Sequence, residues 1–180
     1  MGEHHMWNVE NAIKRNANVY HVYIACMIAK FRELGLVNYG VIKGAAEATG
    51  RCTADYFLAH GLKPSSVEDA IVALNEITGF TDEVKVDYRD GVLEVRMHRD
   101  SCRICPRMVG GLELPGAACP NVGYIKGFVE GLGLAKLEDF AREKGEEPVT
   151  KDGEYCVIRY VVKEASAPVK EEKAVAARRV

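Results

Sequence analysis

The sequence predicts an α+β domain: a mostly antiparallel sheet of two hairpins with helices packed on one face. Three observations predict it. Apolar residues recur at three- and four-residue steps through the first eighty residues. The period then changes to two on either side of Asp90-Gly91, and again before Val162. Finally, the strands so marked are joined by tight turns, which makes neighbours antiparallel. A chain of 180 residues with 48% hydrophobic side chains is long enough to bury one core.

The first element is a helical stretch from Asn8 to Leu34, stopped by Gly35. Its apolar positions include Val9, Ile13, Tyr20, Tyr23, Met27 and Phe31. Tyr39–His60 reads as a second helix or a broken pair, ending at Gly61. Ser66 caps a third helix, with Asp69 three residues on, then Ile71, Leu74 and Ile77, then Gly79 as the stop. The first hairpin pairs Tyr88 with Leu93, Val86 with Val95 and Val84 with Met97, all six on one face. Its other face carries Lys85, Asp87, Glu94 and Arg96. There directly opposite pairs are like-charged, while the diagonals Lys85–Glu94 and Asp87–Arg96 are complementary. Residues 99–119 form a cysteine-bearing loop. A helix follows from Pro120, suited to a first helical position, to Leu132, and a shorter one from Leu137 to Lys144. The second hairpin turns at Lys151-Asp152-Gly153, with Cys156, Ile158, Tyr160 and Val162 sharing a face. Residues 1–163 are expected to be a single domain. Residues 164–180, charged and Ala-rich, are expected to be a flexible tail.

Charge argues against some functions. With 24 basic and 26 acidic side chains there is no positive excess to drive phosphate binding, so no nucleic-acid role is expected. The longest apolar stretch, Val19–Phe31, contains His21 and Lys30 and is too short to span a bilayer. The first residues carry no apolar signal region. A cytoplasmic protein is the expectation. In a reducing compartment six cysteines point to metal or redox chemistry before a disulfide framework.

Four of those cysteines form a constellation. Cys102-Arg-Ile-Cys105 follows a strand, and a two-residue spacer lets a chain aim both sulfurs at one ion. Cys119 precedes a helix, and Cys156 lies on the buried face of the second hairpin. Together Cys102, Cys105, Cys119 and Cys156 supply four thiolates for a closed tetrahedral zinc site. Arg99, Arg103 and Arg107 are placed to offset their negative charge. The same donors suit an iron–sulfur cluster, and Cys102/Cys105 alone suit a redox dithiol. Plain burial of thiols is the remaining alternative, and the one expected for Cys26 and Cys52. His98, Glu113 and His60 are reserve ligands.

Glycines supply the second signal. Gly123, Gly127 and Gly131 fall on one stripe of a helix, each at a cost of up to about 1 kcal/mol relative to Ala. Gly40, Gly44 and Ala48 form a similar stripe earlier. Either two helices pack closely there, or the stripes leave room for a flat apolar ligand. On the second reading Tyr56, Phe57, Gly123, Tyr124, Gly127 and Phe128 line its site.

The stretch Asp100–Val162 resembles the 4-vinyl reductase domain family, also called hydrocarbon-binding proteins. The resemblance is carried by Cys102-x-x-Cys105, by Cys119 before the helix with Gly123, Gly127 and Gly131, and by the closing Gly153-Glu-Tyr-Cys156 turn. It implies a fold related to small subunits of the TRAPP vesicle-tethering complex. It also implies a cavity for a small apolar molecule, a structural zinc on Cys102, Cys105, Cys119 and Cys156, and a homodimer. A sensory role would need a separate effector protein. No catalytic residues carry over, and the sequence shows neither a nucleotide fingerprint nor a nucleophile motif. The expected function is a zinc-containing binding or carrier module for an apolar or aromatic ligand. The alternatives are an enzyme, reductase or hydrolase, acting on a hydrophobic or tetrapyrrole-like substrate, and an iron–sulfur or scaffold protein.

Overall fold

Residues 8–163 are described by a computed structural model; the expected tail at 164–180 lies outside them. The chain runs α1 (Val9–Lys14), α2 (Val19–Glu33), α3 (Tyr39–Ala59), α4 (Val67–Thr78), β1 (Val84–Arg89) and β2 (Val92–His98). It continues with α5 (Asn121–Gly131), β3 (Leu137–Asp139), α6 (Phe140–Lys144), β4 (Thr150–Asp152) and β5 (Tyr155–Val162). The fold is α+β, with a mostly antiparallel sheet as expected.

The first hairpin has the expected register, Val84 to Met97, Val86 to Val95 and Tyr88 to Leu93. Asp90 and Gly91 both adopt positive φ, 52° and 77°, which a two-residue turn of matching twist demands. β2 then pairs with β5, and both β3 and β4 pair with the far edge of β5. Leu93, Val95, Ile158 and Tyr160 are buried on the helix-covered face. Tyr88, on the edge strand, is exposed. On the wet face the charges pair otherwise than along the expected diagonals. Arg96 and Arg159 both reach Glu94, at 2.6 and 2.7 Å, and Asp87 takes Arg89.

Two expected helices are corrected. The stretch from Asn8 to Leu34 breaks at Asn16, which turns left-handed at φ 52°. Asn18 restarts the chain as an N-cap: its side chain accepts from the backbone of Tyr20 and His21, and the His21 ring bonds back to the Asn18 N–H. The restart also rotates α2. Ala25 and Ala29 face inward, while Tyr20 and Tyr23 are exposed. The second correction falls on Leu137–Lys144. Its first three residues form β3, because β5 offers an unpaired edge from Tyr160 to Val162; only Phe140–Lys144 is helical. By contrast Tyr39–Ala59 is one unbroken helix, and α4 is capped by the Ser66 hydroxyl at 3.0 Å from the Asp69 amide.

The core lies between the sheet and α3, α4 and α5. Phe57 and Phe128 meet edge to face at 4.8 Å. The buried Tyr160 hydroxyl donates to the Val122 carbonyl at 2.8 Å, tying β5 to α5. No described helix is long and apolar enough to cross a membrane.

Candidate functional site

The glycine stripe of α5 faces α3. A Cβ on Gly123 would strike the Lys43 carbonyl, and one on Gly127 the Glu47 carbonyl. A Cβ on Gly131 would stand 2.7 Å from the Ala54 Cβ. On α3 the matching residue is Gly50, whose missing Cβ admits the backbone of Tyr124 and Phe128. Gly40, Gly44 and Ala48 are instead exposed on another face of α3. Glycine here brings two backbones together, and no room for a ligand is left between them. Charged groups seal the rim: Lys126 Nζ lies 2.8 Å from Glu47 and 3.2 Å from Glu130.

The residues expected from the sequence to line a ligand site are placed as follows. Gly123 and Gly127 lie under α3, and Phe57 and Phe128 are core. Tyr124 packs on Phe80 and bonds Thr53 Oγ1 at 2.7 Å. Tyr56 is exposed and stacks on His60.

The open space lies elsewhere, at a cavity of about 560 Å³. All four constellation cysteines, Cys102, Cys105, Cys119 and Cys156, line it. Cys102 enters through the short 3-10 turn Arg99–Ser101 that ends β2. Cys105 heads a tight loop, its carbonyl accepting from Val109 and Gly110 at 2.9 and 3.2 Å. Gly110 lets that loop press on the Ala25 carbonyl of α2, where a side chain would collide. Cys119 sits just before α5, and Cys156 lies opposite Met97 across the β2–β5 ladder. Thus loop, helix start and sheet all reach the one space.

The thiols sense one another. Burial first, then the neighbouring Cys105 and Cys119, drive Cys102 well above the ordinary thiol value. Burial and then Cys105 push Cys119 up to about 12. Cys156 is raised by burial and then by Cys105. Pulling the other way, more weakly, are the backbone amides of Ile104 beside Cys102 and of Asn121 and Val122 beside Cys119. N–H groups aimed at sulfur favour the thiolate. In chemistry the set fits a thiophilic cation. In spacing it is wider than a closed site: among the described residues no three His, Cys, Asp or Glu side chains converge closely enough to hold a metal ion.

The other sequence expectations divide. Arg99 and Arg107 line the cavity with the cysteines. Arg103 does not. It is spent on the Arg15 carbonyl at 2.8 Å, the Gly79 carbonyl at 2.7 Å and Asp82. His60, His98 and Glu113 are not among the lining residues. Cys26 is half-buried, and Cys52 is exposed, contrary to its expected burial. All six cysteines are free. Sequence reading missed two lining residues that are buried and polar, Arg15 and Asn121. Neither had a signal in the sequence: Asn121 is one of several polar residues of α5, beside Lys126 and Glu130, and Arg15 lies some ninety positions from the loop it meets.

Fold and site define an α+β protein with a sizeable cavity walled by cysteines from three elements. The chain belongs to the MJ0207 family, whose model matches residues 35–162. It is similar to the uncharacterized protein MJ0207 of Methanocaldococcus jannaschii, 24% identical over 115 residues, or 64% of this chain and 69% of that protein. The matched span holds all four cavity cysteines; α1, with Arg15 behind it, precedes the span.

Proposed function

We propose that this protein is a small-molecule-binding module whose cysteine-lined cavity draws in on a zinc ion: Cys102, Cys105, Cys119 and Cys156, spaced wider than a closed site in the structure, would close around it. One observation carries the reading: four sulfurs, spread over 55 positions of sequence, line the same cavity. The ion's contribution is a cross-link between loop, α5 and β5, with its charge offset by thiolates whose excess Arg99 and Arg107 balance. The likeness to the 4-vinyl reductase domain family points the same way. A reducing, cytosolic setting belongs to the reading, because the donors must remain thiols. An iron–sulfur cluster on the same donors is the second reading, favoured by the donor set alone.

Metal analysis of protein purified under reducing conditions tests it. One zinc per chain is expected in wild type and in Cys26→Ser. Cys102→Ser and Cys156→Ser are expected to lose the metal and melt at lower temperature. Iron with visible absorption selects the cluster instead. Wild type without metal, or equal metal in all three variants, overturns the ligand set.

A further inference from the structure

The cavity has more to it than sulfur. A space of about 560 Å³ is far larger than one ion needs and falls in the range that holds small organic molecules. Its walls are mainly apolar, with Met97, Ile104, Pro106, Ala118 and Val149 between the cysteines. Two buried polar groups break that surface. Arg15 is 4% exposed, yet its guanidinium is poorly matched. One nitrogen reaches Asn11 at 3.1 Å, another stands 4.0 Å from the exposed Asp100 carboxylate, and Nε has no partner among the described residues. Among the described residues a buried cation so weakly countered lacks an anion. Asn121 is fully buried, and its Oδ1 likewise has no partner among the described residues. Among the described residues its amide nitrogen meets only the Met97 sulfur, at 3.4 Å. An orphaned acceptor of this kind lacks a donor. The cavity's charged lining leans positive as well: Arg15, Arg99, Arg107 and Lys151 outnumber Asp100 and Glu147. Arg107 is already held by the Gly116 carbonyl at 2.6 Å, and Arg99 lies 3.5 Å from Asp100. Arg15 is the buried cation of the four.

We infer that the cavity takes an apolar carboxylate bearing a hydrogen-bond donor, with Arg15 receiving the carboxylate and Asn121 the donor. The inference rests on reading this cavity as a ligand site and not on the metal. Guanidinium matches a carboxylate with two parallel N–H donors, and in a dry site such a pair discriminates strongly against a neutral isostere. Arg15 would then supply selectivity from outside the family-matched span, while the cysteine wall comes from within it.

Fluorescence titration with 6-hydroxy-2-naphthoate, 6-hydroxy-2-naphthamide and 2-naphthoate tests this, with zinc measured in the same samples. Wild type is expected to bind the hydroxy acid at least about tenfold more tightly than the amide and several-fold more tightly than the acid lacking the hydroxyl. Arg15→Gln is expected to erase the acid-over-amide preference, Arg15→Lys to keep part of it, and Asn121→Leu to erase only the hydroxyl preference. Should a variant fail to fold, the wild-type comparison decides alone. Equal binding of acid and amide, or no saturable binding of the hydroxy acid at millimolar concentration, overturns the inference. A wild type with the preference but no zinc sinks the metal reading and leaves this one. Zinc without the preference does the reverse.

Discussion

Helix α5 presents two contrasting surfaces. Along its length Gly123, Gly127 and Gly131 lie against α3, and at its start Asn121 faces the cavity. The first region is dry and closed, with carbonyls of α3 where side chains would be. The second is open, and its buried polar atoms are incompletely matched. Small residues on a helix signal that something comes near; they do not say whether it is a ligand or another backbone. Unmatched polar groups are the more specific sign. A packing interface pairs most of its buried polar groups, whereas a binding site must keep donors and acceptors for the ligand.

The largest test of this contrast is Gly127→Ala. The added methyl would strike the Glu47 carbonyl, which is backbone and cannot rotate away. The helices must separate or bend. The expected cost is about 3 kcal/mol or more, at the upper end for overpacking, read as a lower urea midpoint with unchanged slope. Wild-type stability in this variant would mean the two helices are not in contact, and the glycine stripe would again be available to a ligand.

A smaller effect is expected at the rim. Burial by itself would raise the Glu47 carboxyl, but hydrogen bonds from Lys126 and Arg51 hold it below the ordinary carboxylate value. A folded value below the unfolded one means that the unfolded chain takes up protons first. The stabilisation is therefore whole above pH 4.5, the ordinary value, and is lost as pH falls through the lower folded one. Glu47→Gln is expected to cost about 1 kcal/mol at neutral pH, modest because Arg51 is half exposed. The gap to wild type should narrow as pH drops below 4.5. A gap independent of pH would assign the loss to packing rather than charge.

Legibility in the sequence follows the range of the interactions. The first hairpin was readable because Asp90-Gly91 fixes its register locally. The α4 cap was readable for the same reason. The cysteine set was partly so: the spacing of Cys102 and Cys105 and the alternation that puts Cys156 on the helix-covered face singled out residues that line one cavity. What failed depended on distant partners. The edge of β5 converts Leu137–Asp139 from helix to strand, overriding local preference. The break at Asn16 is visible only once His21 is seen completing the cap of α2, a position where Glu or Gln is the usual signal. The role of Arg103 changed because α1 and α4 end beside it. Arg15 and Asn121 became candidates only through partners they lack, which no periodicity encodes.

The smallest effect has the opposite sign. Gly44 lies within α3, in the stripe that sequence reading grouped with the α5 glycines, yet nothing stands within 4 Å of where its Cβ would be. Gly44→Ala therefore meets no obstacle. It gains helix propensity and reduces the freedom of the unfolded chain, an expected stabilisation of about 0.5–1 kcal/mol. Thermal melts of Gly44→Ala and Gly127→Ala measured together should move apart, one up by a few degrees and one sharply down. If Gly44→Ala also destabilises, this face of α3 is covered by something in the folded protein, and the division between a packed stripe and an open one fails at that point.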